Sequence, residues 1–68
     1  MPGTYKITEV VGTSSKSFAD AVKAAVAEAA KTVRNISWFE VVEMRGKAAE
    51  GKVAEFQVTV KIGFKIER

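Results

Sequence analysis

The last third of the chain alternates. Ala54, Phe56, Val58, Val60, Ile62, Phe64 and Ile66 are apolar, and Glu55, Gln57, Thr59, Lys61, Gly63 and Lys65 lie between them. A period of two puts successive side chains on opposite faces, so residues 53–66 are predicted as a long strand, apolar on one face and polar on the other. Residues 37–47 form the partner arm of a β-hairpin, with Glu50-Gly51 near the centre of the turn. Near the start, residues 4–11 read Thr-Tyr-Lys-Ile-Thr-Glu-Val-Val, rich in β-branched side chains, and predict a further strand that ends in a polar turn, Gly12-Thr13-Ser14-Ser15.

Between these segments the period changes. Phe18, Ala21, Val22, Ala25, Ala29 and Val33 fall on one helical stripe, while Asp20, Lys23, Glu28 and Lys31 fall elsewhere. This predicts a helix over residues 18–33. Ser17 followed three residues later by Asp20 resembles a capping box, and Asp20 suits the positive end of the helix dipole. Arg34-Asn35 closes the helix, with Lys31 and Arg34 expected in its last turn. The expected fold class is α+β in the order β-α-β-β: a three-stranded antiparallel sheet with one helix packed on it, a single domain over residues 1–68. The second hairpin arm would span roughly 45 Å and the helix roughly 25 Å. One helix cannot cover so long an apolar face, so the pattern predicts that other copies of the chain do.

Composition strengthens that expectation. A chain of 68 residues buries only about 60% of the surface its unfolded form exposes and usually needs a disulfide, a metal or a partner. The sequence has no cysteine, hence no disulfide or thiolate site, and no histidine, the commonest transition-metal ligand and general base. With 47% hydrophobic residues and one proline, the chain does not read as disordered. Oligomerisation is the support that remains. The net charge of +3 is spread singly from Lys6 to Arg68, which fits a solvated surface better than the clustered face of a nucleic-acid binder. The opening Met1-Pro2-Gly3 carries no basic-then-apolar leader, and no stretch is long enough for a membrane span; a soluble, cytoplasmic protein is expected.

Chemistry has few places to sit. Without His, no hydroxyl nucleophile has its usual activator. Glu40 and Glu43, three apart on a strand, point to opposite faces. Glu55 opposite one of them reads as a solvated charge pair rather than a catalytic dyad. Residues 12–17, Gly-Thr-Ser-Ser-Lys-Ser, lack the spacing and second glycine of a phosphate loop. An enzyme is not expected. Trp38, the single tryptophan, reads either as a core aromatic or as a ligand platform. If Phe39 and Val41 face the helix, Trp38 faces away. A turn at Glu50-Gly51 pairs residues whose numbers sum to about 101, within one residue, placing Trp38 opposite Gly63 and Gln57 opposite Met44. Trp38, Gly63 and Gln57 on one face could form a stacking surface with an amide beside it. Gln57 is either a solvated strand residue or a donor–acceptor pair for a ring edge of carbonyls and N–H groups. Arg45 is solvated, paired with a Glu, or a phosphate contact. Gly46 and Gly63 within strands suggest a bulge or a close approach.

Taken in order and spacing, the chain resembles the dodecins. The likeness runs through Val10-Val11-Gly12-Thr13-Ser14, then Lys31-Thr32-Val33-Arg34-Asn35-Ile36, then Trp38-Phe39-Glu40-Val41 and Arg45-Gly46, and ends on Phe56-Gln57-Val58 and Ile62-Gly63-Phe64. The resemblance implies a hollow homododecamer that stores or buffers flavin, FMN or riboflavin, as stacked pairs between tryptophans of two subunits. It implies that Trp38 stacks, Gln57 bonds the isoalloxazine edge and Arg45 lies near the flavin. Ser37 stands where relatives often carry Asp, and Lys65 where Arg is frequent; both depart from the pattern, and Lys65 would lose a bidentate contact. Coenzyme A between subunits is a further ligand of some bacterial members, with residues 31–33 and Lys65 in the relevant regions. A structural or interaction oligomer without flavin is the alternative.

Overall fold

The computed structural model of the chain describes residues 3–66; Met1 and Pro2 of the opening segment and Arg68, the last of the scattered charges, lie outside the described residues. The elements are β1 (Tyr5–Ser14), α1 (Phe18–Ala29), β2 (Ile36–Ala49) and β3 (Lys52–Lys65). The strands form one sheet in the order β1-β3-β2, and both outer strands run antiparallel to β3. The strand with the strictest alternation is therefore the central one. Its helix-side residues Val58, Val60 and Ile62 are fully buried and, with Ala21, Ala25 and Ala29 of the helix, make up the core.

Small residues let the layers meet. A Cβ at Gly12 would run into the carbonyl oxygen of Ala21 and lie 2.8 Å from the Ala25 Cβ, so glycine on β1 sets how closely the helix approaches. For this reason Gly12 is not in a turn, as the polar run suggested. β1 continues through Gly12, Thr13 and Ser14, paired with Val58, Gln57 and Phe56, and the chain bends only at residues 15–16. Ser14 Oγ then accepts from the Lys16 N–H at 2.9 Å, which shapes the bend. The helix starts where the capping pattern placed it: the Asp20 N–H donates to Ser17 Oγ at 3.0 Å.

The helix ends earlier than expected, at Ala29 rather than 33, with no basic residue in its last turn. Beyond Ala29 the backbone tightens into three-residue bonds, Lys31 N–H to Glu28 O and Thr32 N–H to Ala29 O, as β-branched Thr32 and Val33 leave the alanine-rich stretch. Lys31 instead pairs on the surface with Glu28 at 3.3 Å. Asn35, in the left-handed region at φ 61°, turns the chain into β2.

The hairpin turn is Glu50-Gly51, both at positive φ (53° and 75°), as a two-residue type I′ connection requires. The expected register holds from Trp38↔Gly63 to Val41↔Val60. It then shifts by one, because Val42 is an extra residue: Glu43 opposes Thr59, Met44 opposes Val58 and Arg45 opposes Gln57. The expected Met44–Gln57 pair is thus replaced by Arg45–Gln57.

The molecule extends 53 × 19 × 13 Å. The helix lies on β1 and β3 and scarcely touches β2. Phe39, Val41 and Met44, on the helix side of β2, are left 52%, 41% and 58% exposed. The other face of the sheet carries exposed Tyr5, Ile7, Val11 and Trp38. No helix among the described residues is long and apolar enough to cross a membrane.

Candidate functional site

The face of the sheet away from the helix holds two clusters of side chains. At one end, Trp38 of β2 sits opposite Gly63 of β3, as parity and turn position predict. A Cβ on Gly63 would run into the six-membered ring of the indole, so the ring lies over the glycine backbone. It reaches across β3 to Tyr5 on β1, with ring centroids 5.2 Å apart and planes inclined by 55°. Trp38 nevertheless keeps 40% of its surface exposed. A rigid aromatic surface, held from beneath and from one side, suits stacking by a planar ring. Lys65 belongs to this end, paired with Tyr5 across the ladder. Ser37 stands between the paired residues Ile36 and Trp38 at a shift in register, exposed beside the indole.

At the other end, the Val42 bulge brings Arg45 onto the same face as Gln57. Arg45 Nε donates to Gln57 Oε1 at 2.9 Å, and its Nη1 donates to Glu43 Oε1 at 2.9 Å and Thr59 Oγ1 at 3.4 Å. Gln57 Nε2 in turn donates to Glu55 Oε1 at 2.9 Å. Six residues of extended strand separate Gln57 from Gly63, about 20 Å. The three residues expected to share one surface do share a face, but Gln57 stands well apart from the Trp38–Gly63 pair within one chain.

Two concavities lie elsewhere, one along the helix and one beyond its C-terminal end. One, about 410 Å³, runs between β1 and α1 beside Gly12 and Ala25. The other, about 370 Å³, brings Thr32, Val33 and Lys65 together with Lys6 and Arg34. Trp38, Arg45 and Gln57 line neither. Among the described residues no group of three or more His, Cys, Asp or Glu is placed to hold a metal ion. The sequence reading missed Tyr5, which becomes a neighbour of Trp38 only once β3 lies between β1 and β2. Of the three readings of Arg45, pairing with a glutamate is the one seen here, with Glu43 as partner; the contacts of Thr59 with Arg45 and of Glu55 with Gln57 were missed.

Fold and site together define a class: a small β-α-β-β subunit with an aromatic platform on the open face of its sheet. The chain belongs to the dodecin family, whose model, described as Dodecin, matches residues 4–67. A dodecin from Thermus thermophilus is 46% identical over 67 residues, covering 98% of this chain and 97% of the relative. Among solved structures, the dodecin from Streptomyces davaonensis superposes with a TM-score of 0.95 at 40% identity, with 100% of both chains covered. That from Streptomyces coelicolor gives 0.94 at 47% identity, covering 97% of this chain and 94% of its own.

Proposed function

We propose that this chain is a flavin-storage and buffering subunit, not an enzyme, and that copies of it assemble into a hollow dodecamer holding FMN or riboflavin in stacked pairs between Trp38 side chains of neighbouring subunits. The observation that carries this reading is the Trp38 platform, an indole seated on Gly63 with a large exposed area. A flat platform needs a second wall to exclude water from a stacked ring, and a symmetry-related copy supplies the same platform facing it. The separation of Trp38 and Gln57 points the same way. A tricyclic ring on Trp38 of one chain is too short to reach that chain's own Gln57, so its edge is bonded by Gln57 of another copy.

Each residue then has a physical task. Trp38 supplies dispersion and stacking, and Gly63 keeps the indole flat. Gln57 offers a donor and an acceptor to the ring edge. Arg45, already bonded to Gln57 and Glu43, adds positive charge near the ligand. Ser37 and Lys65 flank the indole and contribute weaker polar contacts. With flavin held there, the Trp38 indole would be the electron donor in contact with the ring, and reversible electron donation to the photoexcited ring would quench its emission. Coenzyme A fits this reading as a second ligand at the concavity beside Thr32, Val33 and Lys65, where Lys6 adds another cation.

The test is a fluorescence titration of riboflavin with the parent protein and with Trp38→Ala. The parent is expected to quench emission, and the alanine variant to bind about fivefold to a hundredfold more weakly, consistent with loss of about 1–3 kcal/mol of base-type stacking. Flavin still bound to the variant should emit. Equal affinity and equal quenching in both would refute the reading and favour a structural or interaction oligomer, which the exposed Phe39, Val41 and Met44 also support.

A further inference from the structure

We infer that Glu55 and Arg45 are positioning residues that lock the Gln57 carboxamide in a single sense, so that this end of the sheet recognises a planar ring edge with an N–H beside a carbonyl in one orientation; the inference rests on the flavin reading above. A glutamine on an open strand can turn its amide over and exchange the places of its oxygen and nitrogen. Here each neighbour works one way only. The Arg45 Nε–H can only donate, and it meets Oε1 at 2.9 Å. The Glu55 carboxylate accepts, and it meets Nε2 at 2.9 Å. Turning the amide over would set two donors against each other on one side and two acceptors on the other.

The lock is built in by the backbone. Were Val42 paired regularly with Thr59 instead of bulged, Met44 would oppose Gln57 and Arg45 would fall on the helix side of the sheet. The bulge re-aims Arg45 onto the open face, where Glu43 at 2.9 Å and Thr59 at 3.4 Å hold the guanidinium. Gly46, the next residue, lets the strands close at this point: a Cβ there would lie 2.6 Å from the backbone carbonyl oxygen of Glu55. Glu55, Gln57, Arg45 and Glu43 thus form one continuous chain of hydrogen bonds along the face. Two of the amide's four hydrogen-bonding positions are used, leaving one N–H and one lone pair for a ligand. A ring edge that donates to the lone pair and accepts from the N–H fits without any rearrangement. An edge that lacks its N–H leaves the second lone pair of the Gln57 oxygen without a donor, and a fixed amide cannot turn its own N–H toward the ligand instead.

The test compares riboflavin with N3-methylriboflavin, in which that ring N–H is gone, by quenching titration. The parent should prefer riboflavin by about tenfold or more. Glu55→Gln keeps the size of the side chain but can donate as well as accept, so the preference should fall to about threefold, mainly through weaker riboflavin binding. Arg45→Lys, which keeps the charge but loses the Nε donor, should do the same. Gln57→Ala should abolish the preference, and adding Glu55→Gln to it should change nothing further, because Glu55 acts through Gln57. Sedimentation should show the same assembly for every variant. A parent without preference would overturn the inference. So would a Glu55→Gln variant that retains the parental preference or weakens binding equally with and without Gln57. A parent that does not quench riboflavin at all would overturn the flavin reading, and the positioning role with it.

Discussion

Gly63 is the residue on which the aromatic platform depends, and its requirement is steric rather than conformational. The indole occupies the space a side chain would fill, so even one methyl must displace it. Gly63→Ala is expected to destabilise the chain by about 1–3 kcal/mol, as overpacking does, measurable in urea unfolding. It should also lower flavin quenching, because Trp38 is pushed off its seat. The Trp38–Gly63 pair was legible in the sequence: a tryptophan on one arm, a glycine on the other, and a turn that sets both their parity and their register. Tyr5 was not. An aromatic opening a strand carries no local mark of a partner that sits two strands away, and its contact with Trp38 depends on β3 being central. Tyr5→Leu should leave the assembly intact while loosening the indole, seen as a broader tryptophan emission and a few-fold weaker flavin affinity.

Among the elements, the hairpin turn and the strand bulge show two kinds of legibility. Glu50-Gly51 was readable as a turn, and its two positive φ angles explain why glycine stands second. Glutamate is a poor occupant of the first position, where a residue with a Cβ pays for the left-handed conformation and asparagine pays less. Glu50→Asn is therefore expected to raise stability by about 0.5–1 kcal/mol, read as a higher melting temperature with no change in flavin binding. The bulge at Val42 left a weaker signal. Val41-Val42, between Glu40 and Glu43, breaks the alternation, but either valine could be the extra residue, and only the pairing with β3 decides. That single residue separates the expected Met44–Gln57 pair from the observed Arg45–Gln57 pair. Gly12 was misplaced for a related reason. A glycine in a polar run reads as a turn, whereas here it is the point at which the helix comes closest to the sheet.

At the scale of the whole molecule, the proportions carry the argument. The α-β-β part of the order, the long hairpin and the shortfall in helix length were all visible in the periodicity, and the shorter helix found here enlarges that shortfall. A core of three alanines and three aliphatic residues is small for a molecule 53 Å long. The apolar residues beyond the helix, Phe39, Val41 and Met44, form the surface that a neighbouring copy is expected to cover. Val41→Asp should then shift sedimentation from a single large assembly to small species and lower the melting temperature, since a charge would be buried without a partner. The number of copies and the facing of two Trp38 platforms were never in the periodicity; both belong to the proposal and are what the family resemblance implies. The most direct test of that proposal is the stoichiometry of riboflavin quenching by the assembled protein. The account predicts a sharp endpoint near one flavin per chain, with bound flavin dark, because each chain offers one Trp38 and the ligands stack in pairs. Full riboflavin emission in the presence of excess protein would contradict it.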